Sequence, residues 1–259
     1  MKILYLNILK GCPEAVRLER IVDFVKKQNP DVLGLSELNN WDKNDCAILE
    51  SFKAQTGLSH CVFANSINTS YHLALFSKST SSSIEPPIQT FRNAAVGVSV
   101  FSGPEPLQIF LFHLSPINED SRLLELETLF QKIKLNKPAI LIGDMNSLSP
   151  QDDYKKQEVL AQMKQTGIKK FGAESLRFEA IQKILDYGFI DAVKKFHSGF
   201  EYSVPTPYNR DKEHFTKLRL DYIFVSPDLE KNLKSAEIIR DIETNQLSDH
   251  FPVAAEFDF

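Results

Sequence analysis

The chain has 259 residues, of which 42% are apolar and 25% charged, and its formal net charge is -4. A chain of this length buries a large core and needs no disulfide or metal staple to fold. The acidic balance excludes a protein that relies on nonspecific attraction to phosphate backbones over its whole surface, although it leaves room for a local basic face.

Residues 2–7, "KILYLN", are aliphatic and predict a buried strand. The continuation to Cys12 has some likeness to a lipoprotein cleavage box. The apolar region is too short for one, Asn7 interrupts it, and Lys10 stands where a small residue belongs. Residues 14–28 carry Val16, Ile21, Phe24 and Val25 at helical spacing, behind a Pro13 suited to a first turn. "DVLGLSE" (31–37) reads as a short strand ending on a carboxylate, and strands follow near 60–64, 71–77, 94–101 and 107–115. The serine-rich "SKSTSSSIEPP" (77–87) reads as a surface loop. A helix is expected over 119–134, then the strand "PAILIGD", then a Lys-rich helical stretch over 152–187. Strands at 218–226, 235–242 and 251–257 complete the chain.

The strands outnumber the helices, and the helices are scattered among them. That pattern predicts two sheets packed face to face with helices outside. With no repeat and no linker, residues 1–259 are expected to form one domain. Cys12, Cys46 and Cys61 form no CxxC pair, which fits reduced thiols. No run reaches the roughly 18 apolar residues that span a bilayer. A cytoplasmic, monomeric protein is therefore expected.

The informative pattern lies at the strand ends. Asn7 ends the first strand, Glu37 the second, and His113 the run "IFLFH"; Asp144 and Asn146 follow "AILIG". Asp221 lies in "LRLDYIFV", and Ser248, Asp249 and His250 precede the last strand. Taken singly, each has an ordinary reading: Asn7 a strand-end hydrogen bonder, Glu37 a solvated carboxylate, His113 a satisfied core histidine, Asp144 and Asn146 turn formers. Asp221 inside a strand fits that reading least, since Asp is depleted there. Together they place hard oxygen donors and imidazoles where a rigid scaffold can make them converge. Such donors suit Mg²⁺ or Mn²⁺. With a poised water and a histidine, they make a site for phosphoester hydrolysis.

The ordered set "LYLN", "DVLGLSE", "FLFHLSP", "LIGDMNS", "RLDYIFVS" and "LSDHFPV" resembles the endonuclease/exonuclease/phosphatase superfamily from Asn7 to His250. The resemblance implies an α/β fold, a four-layer sandwich of two mainly antiparallel sheets flanked by helices. It implies Mg²⁺ on Glu37, with Asn7 and Asp249 also on the metal side. Asp144 would orient or deprotonate the attacking water, and Asn146 would hold that water or a phosphate oxygen. His250 would contact the phosphate, with Asp249 fixing its ring, and Asp221 would support the metal or the leaving-group side. His113 would stabilise the leaving oxygen. Two departures stand out. Repair endonucleases place a polar residue two positions after the first Asn, where this chain has Leu9. The carboxylate that partners the histidine in deoxyribonuclease-like members is missing, leaving Ser70, Tyr71 and His72.

Substrate contacts are expected from His72 and from the segment leading into Asp221, with Asn209, Arg210, His214 and Arg219 as candidates. Charges interleaved with aromatics there suit phosphates and bases. The leading expectation is a Mg²⁺-dependent nuclease-type phosphodiesterase acting on DNA or RNA. The alternatives are hydrolysis of a small phosphoester or phospholipid head group, and a non-catalytic binding module on the same fold. Asp144→Ala or His250→Ala is expected to abolish hydrolysis with little loss of folding.

Overall fold

The chain starts in one sheet, crosses to a second and returns to the first. The computed structural model describes residues 1–259 apart from 85–87, 89, 102–105, 135–136, 210–213 and 215. The strands β1 (Lys2–Asn7), β2 (Val32–Ser36), β3 (His60–Ala64) and β4 (Leu73–Ser77) open the first sheet. The second holds β5 (Ser81–Ser83), β6 (Ala94–Val100), β7 (Leu107–His113), β8 (Ala139–Asp144), β9 (Ile190–Asp191) and β10 (Asp221–Val225). The last two strands, β11 (Leu233–Ile238) and β12 (Val253–Phe257), rejoin the first sheet. The spatial orders are β11-β12-β1-β2-β4-β3 and β5-β6-β7-β8-β10-β9.

Apolar residues on both faces of the central strands explain the layering. Ile3 and Tyr5 of β1 meet Ile140 and Ile142 of β8 between the sheets. Leu4 and Leu6 face the other way, onto Ile21, Phe24 and Val25 of α1 (Ala15–Gln28) and Leu49 and Phe52 of α2 (Ala47–Thr56). On the far side, Phe112 and Leu141 pack on Leu126 and Leu129 of α3 (Glu119–Phe130). Further along the chain come α4 (Lys156–Thr166), α5 (Glu179–Asp186) and α6 (Ala192–Phe196). Ala180, Ile181 and Ile184 of α5 join the α3 layer. The result is the expected four-layer sandwich. Burial of Phe24, which is fully enclosed, contributes about 1.5–3 kcal/mol.

Some boundaries differ from expectation. Val16 stays exposed on α1. The Lys-rich helical stretch is a pair of helices, α4 and α5, and Gly167 at φ 76° closes α4 in the left-handed conformation. Part of the serine-rich segment is strand β5, paired to β6 from Ser81 opposite Val100. No helix among the described residues is long and apolar enough to cross a membrane.

Connectivity sets the position of the site. Only the β1–β2 and β7–β8 pairings among those described are parallel, and each is bridged by a helix, α1 or α3. Their carboxyl ends therefore open on a rim. The antiparallel strands β10 and β12 begin there, so residues at their starts join residues at the ends of β1, β2, β7 and β8.

Candidate active site

Three of the predicted residues form one row across the second sheet. His113 at the end of β7 is paired with Asp144 at the end of β8, and Asp144 with Asp221 at the start of β10. Gly143 makes the close approach possible. Its φ is 150°, and an added Cβ would lie 1.8 Å from the carbonyl oxygen of Phe112. Beyond the strand, Asn146 takes a left-handed φ of 46° and turns back over the row. Its backbone N–H donates to Asp144 Oδ1 at 2.8 Å, and its Nδ2 lies 3.1 Å from the Leu114 carbonyl and 3.0 Å from His113 Nε2.

The first sheet supplies the opposite wall. Asn7 Nδ2 donates to Glu37 Oε1 at 3.1 Å and to Asp144 Oδ2 at 3.3 Å, so one amide ties the two sheets together. The Leu9 N–H donates to Asn7 Oδ1 at 3.0 Å, which fixes the amide's orientation. Glu37 itself has a φ of 62°, and Leu9 and Lys10 have φ values of 53° and 52°. Such left-handed non-glycine residues are held only by their surroundings. Here they are held by the Lys10 N–H on Glu37 Oε2 (2.9 Å) and the Gly11 N–H on the Glu37 carbonyl (2.6 Å).

His250 stands between the sheets' contributions. Its Nδ1 lies 2.7 Å from Asp221 Oδ2, and its Nε2 lies 3.9 Å from Asp144 Oδ2. The expected pairing with Asp249 is corrected. Asp249 turns to His214 Nδ1 at 3.3 Å and to the Ser248 hydroxyl at 3.0 Å, while His214 packs edge-on against His250 with ring centres 4.8 Å apart.

The electrostatics follow from burial and these contacts. Burial works against charge on His250, but Asp221, Asp249 and Asp144 push it up to about 10. Burial pushes Asp221 up against the pull of His250, with Asp144 adding to the rise. For Asp144, burial is outweighed by His113 and His250, which hold the carboxyl below the usual range. Asp249 is likewise held low by His250 and His214 despite burial. The arrangement is thus an imidazolium among carboxylates, with Asp144 ionised at neutral pH.

His113, Asp144, Asn146, Asp249 and His250 line a cleft of about 270 Å³ with Glu37, Tyr71, Asn93, Lys170 and His214 among its walls. A buried ion pair braces it. Glu119 accepts from the Ser147 hydroxyl and the Ala180 N–H and pairs with Arg122 at 2.6 Å; Arg122 also donates to the Lys170 carbonyl. The loop after Asp144 and the turn carrying Lys170 are therefore fixed to one another.

Other expected contacts lie elsewhere. Arg219 does not face the cleft. It is 0% exposed, with its guanidinium 2.7 Å from Asp152 and 2.6 Å from Asp191, where it holds the chain ahead of β10. His72 is not among the cleft's walls; its Nδ1 accepts from the Ser66 N–H at 3.0 Å, and its Nε2 lies 3.5 Å from Asp42. Asn209 donates to the His214 carbonyl, holding that loop. Arg210 lies outside the described residues. Among the wall residues that escaped the sequence reading are Tyr71 and Asn93. Both precede strands, β4 and β6, so the strand-end rule applied to strand starts would have found them.

The donor set fits a hard divalent cation. Glu37, Asp144 and Asp249 offer carboxylates in the cleft, and no cysteine is among its walls. Ligand atoms of Asp144, Asp221 and His250 lie within 4.8 Å of one another, as do those of His214, Asp249 and His250. Asn7 presents its amide nitrogen, not its oxygen, to both carboxylates.

A four-layer sandwich with carboxylates, amides and imidazoles gathered on one rim defines a phosphoester hydrolase. The profile of the Endonuclease/Exonuclease/phosphatase family matches residues 4–250, and the chain belongs to that family. No curated protein matches the sequence. Among solved structures, an AP endonuclease from Archaeoglobus fulgidus superposes with a TM-score of 0.72 at 20% identity, covering 100% of both chains. A 3' phosphatase, NExo, from Neisseria, bound to a product DNA hairpin, gives 0.67 at 23% identity, again over 100% of both. The 3'-5' exonuclease NExo from Neisseria meningitidis gives 0.68 at 24%, with the same coverage.

Proposed function

We propose that the protein is a Mg²⁺-dependent nuclease-type hydrolase that acts on a phosphoester of DNA or RNA, with residues 1–259 as one catalytic domain. The observation that carries this reading is the meeting of Glu37, Asp144, Asn146, His113 and His250 on a single cleft. The nucleic-acid preference draws support from the AP endonuclease and the DNA-bound 3' phosphatase that share the fold.

Glu37 would hold the metal, with Asp249 or Asp144 as a further oxygen donor, and a cation there would supply neutralisation of phosphate charge and polarisation of the phosphorus–oxygen bond. Asp144, ionised at neutral pH, accepts a hydrogen bond from the attacking water and aims its lone pair at phosphorus. Asn146 keeps Asp144 in place through its N–H. His250 keeps its proton because Asp221 accepts from Nδ1; its Nε2–H then meets a phosphate oxygen as charge builds there. Asp221 is a positioning residue in this scheme.

A second reading, a small phosphoester substrate, is favoured by the net charge of -4 and the modest cleft volume. The test is a substrate panel with Mg²⁺ or Mn²⁺: abasic-site DNA, 3'-phosphate-ended DNA, RNA, inositol phosphates and sphingomyelin. Turnover of a nucleic acid supports the first reading. Turnover of only a small phosphoester replaces it with the second.

A further inference from the structure

Leu9 stands in the loop after β1 where repair endonucleases place a polar residue, and Lys10 follows it. Leu9, Lys10 and Gly11 take φ values of 53°, 52° and 74° in succession. Left-handed backbone at two consecutive non-glycine residues persists only where contacts enforce it. Here all three N–H groups are engaged: Leu9 on Asn7 Oδ1, Lys10 on Glu37 Oε2 and Gly11 on the Glu37 carbonyl. The carbonyls are held as well. Arg17 donates to those of Ile8 and Leu9 at 2.6 and 3.0 Å, and Trp41 Nε1 donates to that of Gly11 at 3.0 Å.

The loop is thus rigid, and Leu9 and Lys10 line the cleft. Lys10 is exposed, whereas His113, Asp144 and His250 are at most 3% exposed. An anion at Lys10 therefore lies outward of one held among those three. Lys10 makes no ion pair among the described residues. Lys170, the other lysine of the cleft wall, is 7% exposed and lies inside the mouth. The rim accordingly carries a fixed, accessible point charge beside an apolar side chain. That combination suits a phosphate joined to a sugar or ring.

We propose that Lys10 binds a second phosphate of the substrate, a neighbour of the one that is cleaved, and so favours substrates whose phosphates come in series. This rests on the phosphoester reading above and deepens it. Lys10 acts on binding and not on the chemical step, because its charge stands outside the reacting group. Two substrate chemistries carry such neighbouring phosphates, a polynucleotide and a polyphosphorylated ring such as an inositol bisphosphate. An isolated phosphomonoester gains nothing from Lys10.

The test compares affinities for a nucleoside 3',5'-bisphosphate and the matching 5'-monophosphate, and for an inositol bisphosphate and its monophosphate. Calorimetry with Ca²⁺ in place of Mg²⁺ slows turnover during the titration. An exposed ion pair is worth up to about fivefold in affinity, so the parent should prefer one bisphosphate over its monophosphate by about that factor. The preference should collapse to about one in Lys10→Gln and in Lys10→Asn, whose side chain tolerates left-handed backbone, and persist in Lys10→Arg. A preference confined to the nucleoside pair names a polynucleotide as the source of the second phosphate; one confined to the inositol pair names the ring. On the best substrate of the panel, Lys10→Gln should raise KM about fivefold at unchanged kcat and flatten the salt dependence by about one unit of slope. No preference in the parent, or one that survives in both neutral variants, overturns the role of Lys10. If that parent still cleaves a member of the panel, the phosphoester reading stands without it. If the parent binds none of the four probes and cleaves nothing, that reading falls and the role of Lys10 with it.

Discussion

His250 Nδ1 lies 2.7 Å from Asp221 Oδ2, a carboxylate 29 positions away, and not against Asp249, its neighbour in the chain. The pair is buried, so the imidazole's charge depends on Asp221. In Asp221→Asn one carboxylate is gone and burial remains, so the His250 value should fall from about 10, with Asp249 and Asp144 still raising it. An NMR titration of the metal-free protein should show the parent His250 protonated through neutral pH and the variant losing its proton at lower pH. With substrate, kcat/KM of Asp221→Asn at neutral pH should fall by about 10²–10⁴, and the alkaline limb of its pH profile should move downward.

The same pair makes stability pH-dependent. The folded-state value of His250 is raised above 6.5. Its contribution is therefore complete below about 6.5 and is lost as pH rises through about 10. Asp249 works in the opposite direction, because its value is depressed. It contributes above the ordinary carboxylate value, and that contribution is lost as pH falls below it. His250→Ala leaves Asp221 and Asp144 buried without their cation, at a cost of about 3–5 kcal/mol. The expectation that this substitution spares folding is therefore revised. Chemical denaturation of the metal-free protein across pH checks both points.

Gly143→Ala should unfold the row from beneath Asp144. The new methyl would have to displace a carbonyl oxygen 1.8 Å away at a φ of 150°. Overpacking and backbone strain each cost about 1–3 kcal/mol, so the melting temperature should drop sharply. Gly167→Ala is the control. It has a φ of 76° but nothing within 4 Å, and it should lose only about 1 kcal/mol.

The sequence displayed the sandwich because its central strands are apolar on both faces, as in "AILIG". It displayed most of the site because polar residues end those runs. Which carboxylate serves His250 was not legible: the choice depends on β10 lying against β8 with Asp221 opposite Asp144, a register that adjacency in the chain obscures. The place of Arg219 was not legible for a related reason. It shares a charged segment with His214, yet of these two His214 lines the cleft, while Arg219 meets Asp152 and Asp191, 67 and 28 positions earlier. Lys170 sat in a pattern read as helix; it follows the end of α4 at Gly167 and lines the cleft.

Arg219 now predicts a separation of stability from binding. Arg219→Lys keeps the charge but cannot span both Asp152 and Asp191 with a planar fork. The variant should lose roughly 3 kcal/mol or more of stability, as for a broken buried pair. Assayed well below its melting temperature, it should keep KM within twofold of the parent. A large rise in KM with unchanged stability would restore Arg219 as a substrate contact.

Asn7 and Glu37 should part company in a metal titration. Asn7 presents its amide nitrogen to Glu37 at 3.1 Å and Asp144 at 3.3 Å, which predicts that it orients carboxylates and adds no ligand of its own. Loss of such an orienting partner costs about 10- to 100-fold in metal affinity. In Asn7→Ala the Mg²⁺ concentration for half-maximal activity should rise by that factor, and most of the rate should return at saturating metal. Glu37→Gln removes a charged oxygen donor and replaces half of it with a nitrogen that repels the cation. Its rate should stay low at every Mg²⁺ concentration, and calorimetry should show direct binding lost. A chelator should abolish activity of the parent, and added Mg²⁺ should restore it. Equal rescue of both variants by metal would place Glu37 beside Asn7 as a positioning group and move the cation to the Asp144 side of the cleft.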